Sequence, residues 1–238
     1  MRVLDAEGLT KHFRGVTAVN GVDLTVAEGE LLGLFGPNGA GKTTLFNLIA
    51  GAFPPDGGRV RLKGRDISRL PAFRRARLGI GRTFQVVRPF RALSVLDNVR
   101  ASVPSTAASA GDDTEAALAL LRHVGLADRA HARAGELTLG MLKRLEVARA
   151  LAVVPCLLLL DEPLAGLTSR EAGELLGFIG SLRERTSVVM VEHNVRLALP
   201  VCDRAVMMDA GSVIAEGAPA EIRANPEVIR AYLGEAAE

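Results

Sequence analysis

Cysteine is scarce in this chain: Cys156 and Cys202 stand alone, without the paired spacing of a metal knuckle or a disulfide framework. Their isolation suits a reducing compartment, and both read as small apolar residues beside strands. No apolar run approaches the ~20 residues that a membrane-crossing helix needs. Arg2 and Asp5 follow Met1 closely, where a secretory signal would carry an apolar core. Any membrane role is therefore expected to come through a partner. An excess of one charge is missing as well. Lys plus Arg total 29 against 27 Asp plus Glu, a net +2, so no global field points to nucleic acid. The local cluster Arg74, Arg75 and Arg77 could serve as a contact surface, but such clusters are usually a solvated face, and it reads as one. Internal repeats are absent too.

What remains is ordinary globular material, 48% hydrophobic and 24% charged over 238 residues. That length suits one large α/β domain or a core with an inserted subdomain. Residues 1–35 read as short strands, with Val22, Leu24 and Val26 alternating before the apolar run Leu31–Phe35. Another β segment, Arg59–Gly64, follows the turn Pro54–Gly58, and together these pieces predict a small antiparallel sheet beside the first buried strand. From about residue 90 to 155 the period becomes helical: Leu118, Leu121 and Val124 share one face, Leu142, Leu145 and Ala148 another. The Ala/Ser/Gly-rich stretch between Asn98 and Glu115 reads as a loop. Buried strands return at Leu157–Leu160 and Ser187–Val191. Between them lies a helix with Ala172, Leu175, Leu176, Ile179 and Leu182 on one side, and this alternation predicts a parallel sheet.

Gly36-Pro37-Asn38-Gly39-Ala40-Gly41-Lys42-Thr43-Thr44 fits G-x-x-x-x-G-K-[ST], directly after an apolar strand and before a helix marked by Leu45, Leu48 and Ile49. Glycines let successive backbone N–H groups curl around phosphates, and the helix that follows directs its positive end at them. Lys42 would neutralise the β and γ oxygens, and the Thr43 hydroxyl would ligate Mg²⁺. A P-loop alone says nucleoside triphosphate, not which kind of enzyme.

Four further segments narrow the choice. Leu157–Leu160 runs into Asp161-Glu162-Pro163, two acids at the end of a buried strand, where a cation would offset their desolvation. Asp161 would hold Mg²⁺ and Glu162 would polarise an attacking water, whereas the bland reading is a surface turn before Pro163. Val188–Val191 runs into Glu192-His193, which places His193 on the same sheet edge as Asp161, near the γ-phosphate. Gln85 closes Arg82-Thr83-Phe84-Gln85 at the junction with the helical segment, in reach of Mg²⁺ or water at one end of the site. The segment Gly135–Leu142 before an amphipathic helix reads two ways: a helix capped near Thr138, or a second anion site at a helix N-terminus.

In this order, the P-loop, Gln85, Leu137–Met141, Asp161-Glu162 and His193 resemble the nucleotide-binding subunit of ABC transporters across nearly the whole chain. The resemblance implies an α/β, P-loop NTPase fold with a RecA-like core, an antiparallel β subdomain and a helical insert. Core and β subdomain would occupy about 1–85 and 155–238, and the helical subdomain about 86–154. It further implies an ATPase that binds ATP and Mg²⁺ as a head-to-tail dimer, with the nucleotides at the interface. Residues Gly36 to Thr44 would hold the phosphates, Thr43, Gln85 and Asp161 the metal, and Glu162 and His193 would do the chemistry. Thr138 and Gly140 would meet the other subunit's nucleotide. Phe13, which on its own reads as core, matches the family's adenine-stacking ring.

Arg82–Gln85, Phe90–Val99, Ala165-Gly166-Leu167, Glu192-His193-Asn194 and the tail Ile229–Gly234 are similar to the branched-chain amino-acid (Liv-type) importer group, with urea and amide importers sharing several of them. The implied partners are transmembrane permeases, a second ABC ATPase in a homo- or heterodimer and, indirectly, a substrate-binding protein, with no nucleic acid. The implied location is peripheral, on the cytoplasmic face of the membrane. Two alternatives stay open: the ATPase of a lipopolysaccharide-export-type system, and a non-transport or regulatory ABC ATPase. The usual Ser-x-Gly-Gln signature reads Thr138-Leu139-Gly140-Met141, which loses an amide at Met141 and predicts weakened hydrolysis of the partner's nucleotide. Thr168 stands where the family commonly has Asp or Asn, and with Glu171 it predicts a capping box. The loop Val86–Phe90 is expected to line a groove for a permease helix, unless its three apolar side chains are core.

Overall fold

The computed structural model describes residues 1–103 and 113–233. The chain opens with β1 (Arg2–Phe13) and β2 (Val16–Ala27), twelve residues each, where the sequence predicts short strands. Gly8 and Gly21, at φ 58° and 62°, sit at shifts in the pairing register, so what reads as a strand break is a bulge inside a continuing strand. Then come β3 (Leu31–Phe35), α1 (Lys42–Ala50), β4 (Gly57–Leu62), β5 (Arg65–Asp66), α2 (Ala72–Arg77) and β6 (Ile80–Arg82). The helices α3 (Val95–Arg100), α4 (Asp113–His123) and α5 (Leu139–Leu151) follow. After them the chain runs through β7 (Leu157–Asp161), α6 (Ser169–Ser181), β8 (Ser187–Val191), α7 (Val195–Ala198), β9 (Arg204–Asp209), β10 (Ser212–Gly217), α8 (Pro219–Ala224) and α9 (Pro226–Leu233).

Two sheets form. One is antiparallel, in the order β2-β1-β4-β5; the other has the order β10-β9-β3-β8-β7-β6, parallel from β9 to β6 with β10 antiparallel at its edge. Strand alternation sends Leu32 and Leu34 into one core, shared with Leu45, Phe46, Leu48 and Ile49 of α1 and with the antiparallel sheet. Leu31 and Phe35 point to the opposite face, where Leu175, Leu176 and Ile179 of α6 pack. A third core, of Val95, Val99, Leu121, Val124, Leu145 and Ala148, holds the helical segment together. The fold is thus the P-loop α/β core with an antiparallel sheet and a helical cluster. The long parallel sheet places the ends of β3, β8, β7 and β6 side by side on one edge.

Several expectations meet the coordinates directly. Thr168 and Glu171 form the reciprocal capping box at the start of α6. Cys156 and Cys202 are both free, and burial pushes the Cys202 thiol up to about 12. The expected loop between Asn98 and Glu115 is narrower, because α3 runs to Arg100 and α4 starts at Asp113; residues 104–112 lie outside the described residues.

The solvated Arg74–Arg77 face needs correction. Arg74 and Arg77 are exposed, but Arg75 is fully buried. Its guanidinium donates to Leu48 O and Ile49 O at the end of α1 and to Ser68 O and Leu70 O. A cation there answers the carbonyl-rich end of the helix dipole and satisfies carbonyls the helix leaves open, while burial lowers its pKa to about 10. Arg75→Met would leave those carbonyls unpaired in the interior, a loss of roughly 2–4 kcal/mol. Calorimetry is expected to show a melting midpoint lower by roughly 5–15 °C, with Arg74→Met near neutral; equal effects from the two variants would refute the assignment.

Candidate functional site

Gly36–Gly41 leaves the end of β3 and turns into α1. Two of its glycines are required by geometry. At Gly36, φ 150°, an added Cβ would lie 2.2 Å from Met208 O; at Gly41, φ 96°, it would lie 2.3 Å from Ala18 O. Lys42, the first residue of α1, folds back so that its Nζ donates to Gly36 O at 2.6 Å and Pro37 O at 2.8 Å. The ammonium is thereby held, almost wholly buried, at the mouth of the loop.

Three neighbouring strand ends converge on this loop. β7 delivers Asp161 and, one residue on, Glu162; β8 delivers His193 two residues past its end; β6 leads through Thr83 to Gln85. Thr83 Oγ1 accepts from Asp161 N–H at 3.1 Å and Thr83 N–H donates to Leu159 O, which extends the β6–β7 pairing into the site. The Glu162 carboxylate is gripped on both oxygens: Gln85 Nε2 donates to Oε2 at 2.9 Å, and His193 Nε2 lies 2.8 Å from Oε1. Glu162 itself stands at φ 45°, a left-handed conformation that costs a non-glycine residue about 1–3 kcal/mol. Its N–H donates to Val191 O at 3.0 Å, one of the contacts that hold it there. Burial raises the Asp161 pKa, opposed by Arg82, whose Nη2 lies 3.7 Å from Oδ2. The Arg82 guanidinium is sandwiched between the rings of Phe46 and Phe84, 4.9 Å from each.

The resulting cleft, about 310 Å³, is lined by Asn38 to Thr44, Gln85, Glu162, His193 and Ala18. Every P-loop, Gln85, Glu162 and His193 position singled out by the sequence therefore lies in or beside one cleft, and Asp161 sits behind it. Phe13 does not line it; the ring packs edge-on to Phe53 at 5.4 Å, with Lys11 Nζ above both. Thr138 and Gly140 lie elsewhere, in a cavity of about 280 Å³ with Met141, Arg144, Glu171 and Glu174. Thr138 caps α5, its Oγ1 accepting from Met141 N–H at 3.4 Å.

Sequence reasoning passed over Lys143, whose buried Nζ donates to Glu162 O at 3.0 Å and Gln85 O at 3.3 Å. It also passed over Glu192, whose Oε1 accepts from Leu164 N–H at 2.7 Å and whose pKa burial raises. Lys143 shares a helix face with Glu146 and Arg149, charged residues three apart, and that face was the available signal.

Beside the cleft, a cavity of about 380 Å³ opens between α2, β6 and α5. Its apolar wall comes from Ala72, Phe73, Ala76 and Phe84, with Glu146 and Arg149 opposite. Val86, Val87 and Phe90 do not line this cavity, and they are not core either, since Val86 and Phe90 are 64% and 51% exposed and Val87 is half-buried; the core alternative for this loop is thereby set aside.

A backbone loop built to receive phosphates, with a carboxylate held between an amide and an imidazole across from it, defines a nucleoside triphosphatase. The chain belongs to the ABC transporter family: that family's model matches residues 19–165. Residues 212–238 match a second model, described as branched-chain amino acid ATP-binding cassette transporter. The high-affinity branched-chain amino acid transport ATP-binding protein BraF of Pseudomonas aeruginosa is 39% identical over 251 aligned positions, covering 98% of both chains. Its counterpart LivG of Escherichia coli K12 is 38% identical with the same coverage. Among solved structures, the ADP conformation of MJ1267, an ATP-binding cassette of an ABC transporter, superposes with a TM-score of 0.90 at 29% identity, over 98% of this chain and 99% of that one. The dimeric post-hydrolysis cassette MJ0796, bound to ADP and Pi, gives a TM-score of 0.80 at 26% identity, over 91% and 98%. The protein is accordingly a nucleotide-binding ABC ATPase, the ATP-binding subunit of a transporter. No helix among the described residues is long and apolar enough to cross a membrane.

Proposed function

We propose that this chain is the ATP-hydrolysing subunit of an importer for branched-chain amino acids, bound to permeases at the cytoplasmic face of the membrane. The observation that carries the reading is the tail match over residues 212–238, which adds a substrate-group signal to the general cassette match. Permease subunits, a second ABC ATPase and a separate substrate-binding protein complete the assembly. Within the chain, the core and β subdomain take up about 1–85 and 155–238, and the helical subdomain about 86–154.

In this reading the N–H groups of Gly36 to Thr44 and the Lys42 ammonium receive the phosphates, and Phe13 stacks on the adenine. Glu162 takes the proton of the attacking water as its oxygen bonds to the γ-phosphorus and the Pγ–O bond to ADP breaks, ADP leaving with that electron pair, and His193, 2.8 Å from the carboxylate, orients that water. Thr138 and Gly140 meet the nucleotide of the second ATPase. Magnesium suits the donors at hand: a Thr43 hydroxyl, a buried Asp161 carboxylate and the Gln85 amide are all hard oxygen ligands. When bound, the ion would neutralise charge on the β and γ oxygens.

The apolar wall of the cavity beside β6 seats a permease helix, because Phe73 and Phe84 are 59% and 53% exposed on it. Reconstitution with the cognate permeases and binding protein in proteoliposomes is expected to give ATP-dependent leucine uptake. Phe73→Asp is expected to bind ATP within about twofold of the parent while uptake and permease co-purification fall at least ~10-fold. Uptake of amides or urea but not of leucine, isoleucine or valine would overturn the substrate class. Undiminished co-purification of Phe73→Asp would overturn the seat.

A further inference from the structure

One stripe of α5 reaches across to the segment that follows β6. Lys143, Glu146 and Arg149, spaced three residues apart and so on one helix face, each contact it. Lys143 Nζ donates to Gln85 O; Glu146 Oε1 accepts from Arg88 N–H at 3.2 Å; Arg149 Nη1 donates to Arg88 O at 3.0 Å and to Glu146 Oε1 at 2.8 Å. Only Lys143 goes further, to the carbonyl of Glu162. That carbonyl also accepts from Ala165 N–H at 3.2 Å, and the Glu162 N–H is bound to Val191 O. Of the hydrogen bonds to the Glu162 main chain among the described residues, the one from Lys143 comes from α5, the helix that Thr138 caps. The left-handed backbone at Glu162 persists only because it is held from several sides, so loosening one hold lets it relax and re-aims the carboxylate.

We propose that Lys143 is a positioning residue: it ties the main chain of Glu162 to the helix beginning at Thr138 and Gly140, so that the aim of the Glu162 carboxylate follows the placement of α5. A nucleotide contact made at the start of α5 is thereby sensed at Glu162 through one ammonium, and at Gln85 through the same group. The proposal rests on the role of Glu162 given above. Three donors on a compact head let one side chain serve both carbonyls at once. Burial lowers the Lys143 pKa, opposed by four nearby acids, Glu192, Glu162, Asp161 and Glu146.

ATP affinity and hydrolysis of the full-length chain, measured separately, test the assignment. Lys143→Met is expected to bind ATP within about twofold of the parent and to turn over at least ~10-fold more slowly, since small misplacements of a reacting group have effects of this size. Lys143→Arg, which keeps a cationic donor, is expected to recover turnover to within about threefold. In a Glu162→Gln background, Lys143→Met is expected to slow turnover no further, because both changes remove the same function. If the Met variant does not fold, Lys143→Gln, which keeps donors without the charge, is expected to show the same separation of binding from turnover. Parental turnover in Lys143→Met, a parallel loss of affinity and rate, or additivity with Glu162→Gln would overturn the proposal. Should Glu162→Gln alone hydrolyse ATP normally, the reading of Glu162 fails and the proposal with it. A slow Glu162→Gln beside a fast Lys143→Met overturns the Lys143 proposal alone.

Discussion

Lys42→Ala is expected to lower ATP affinity at least about 100-fold, the consequence of losing roughly two charge-assisted hydrogen bonds at about 1.5–3 kcal/mol each. The ammonium is placed for this before any nucleotide arrives. It lies on the carbonyls of Gly36 and Pro37 at 2.6 and 2.8 Å, is almost fully buried, and shares its cleft with the Asn38–Thr44 backbone. Most of its hydration is therefore already gone, and binding exchanges carbonyl oxygens for phosphate oxygens of higher charge. Lys42→Arg is not expected to rescue affinity, because a planar fork does not fit a slot shaped around a single nitrogen between two carbonyls. Titration with a fluorescent ATP analogue, alongside a melting curve to confirm folding, decides the matter. Affinity within about twofold of the parent would remove Lys42 from the phosphate site.

The P-loop, the acidic strand end and the strand-end histidine were legible because each is a local pattern with a local cause. Each site segment begins at or just past the end of a five-residue, mostly apolar strand, and parallel packing sets those ends on one edge. The lengths of β1 and β2 were not legible, since Gly8 and Gly21 are breakers by composition and bulges by geometry. Arg75 was misread for a related reason. On α2 it alternates with exposed Arg74 and Arg77, and only the tertiary packing of α2 on α1 reveals the carbonyls of Leu48 and Ile49 it must meet. Lys143 escaped notice because its two partners, Gln85 and Glu162, are 58 and 19 residues away and become neighbours only when β6 and β7 pair. Phe73 and Phe84 escaped notice for the same reason, because the wall they share forms only where α2 packs beside the end of β6.

Glu162→Gln is expected to leave ATP binding within about threefold and to cut turnover at least ~10²-fold, the scale seen when a positioned base is lost. The substitution keeps the shape of the side chain, and the grips on it have counterparts: the new amide oxygen can accept from Gln85 Nε2, and the new N–H₂ can face His193 Nε2 in its acceptor tautomer. Pro163 follows directly, and the Val191 O and Lys143 contacts involve the main chain, so the φ of 45° at position 162 has no reason to change. What disappears is the negative charge that draws a proton from water. Binding and chemistry should therefore separate cleanly, which a variant that merely disturbed the fold would not do. Glu162→Asp offers a graded comparison: it keeps the charge but withdraws it by one methylene from Gln85 and His193, and turnover between parent and Glu162→Gln is expected. Because unhydrolysed ATP remains at the interface, Glu162→Gln should also elute as a nucleotide-dependent dimer on size exclusion, while the parent returns to monomer as ATP is consumed. Turnover by Glu162→Gln within about threefold of the parent would take the carboxylate out of the chemistry and leave His193 as the group to test next.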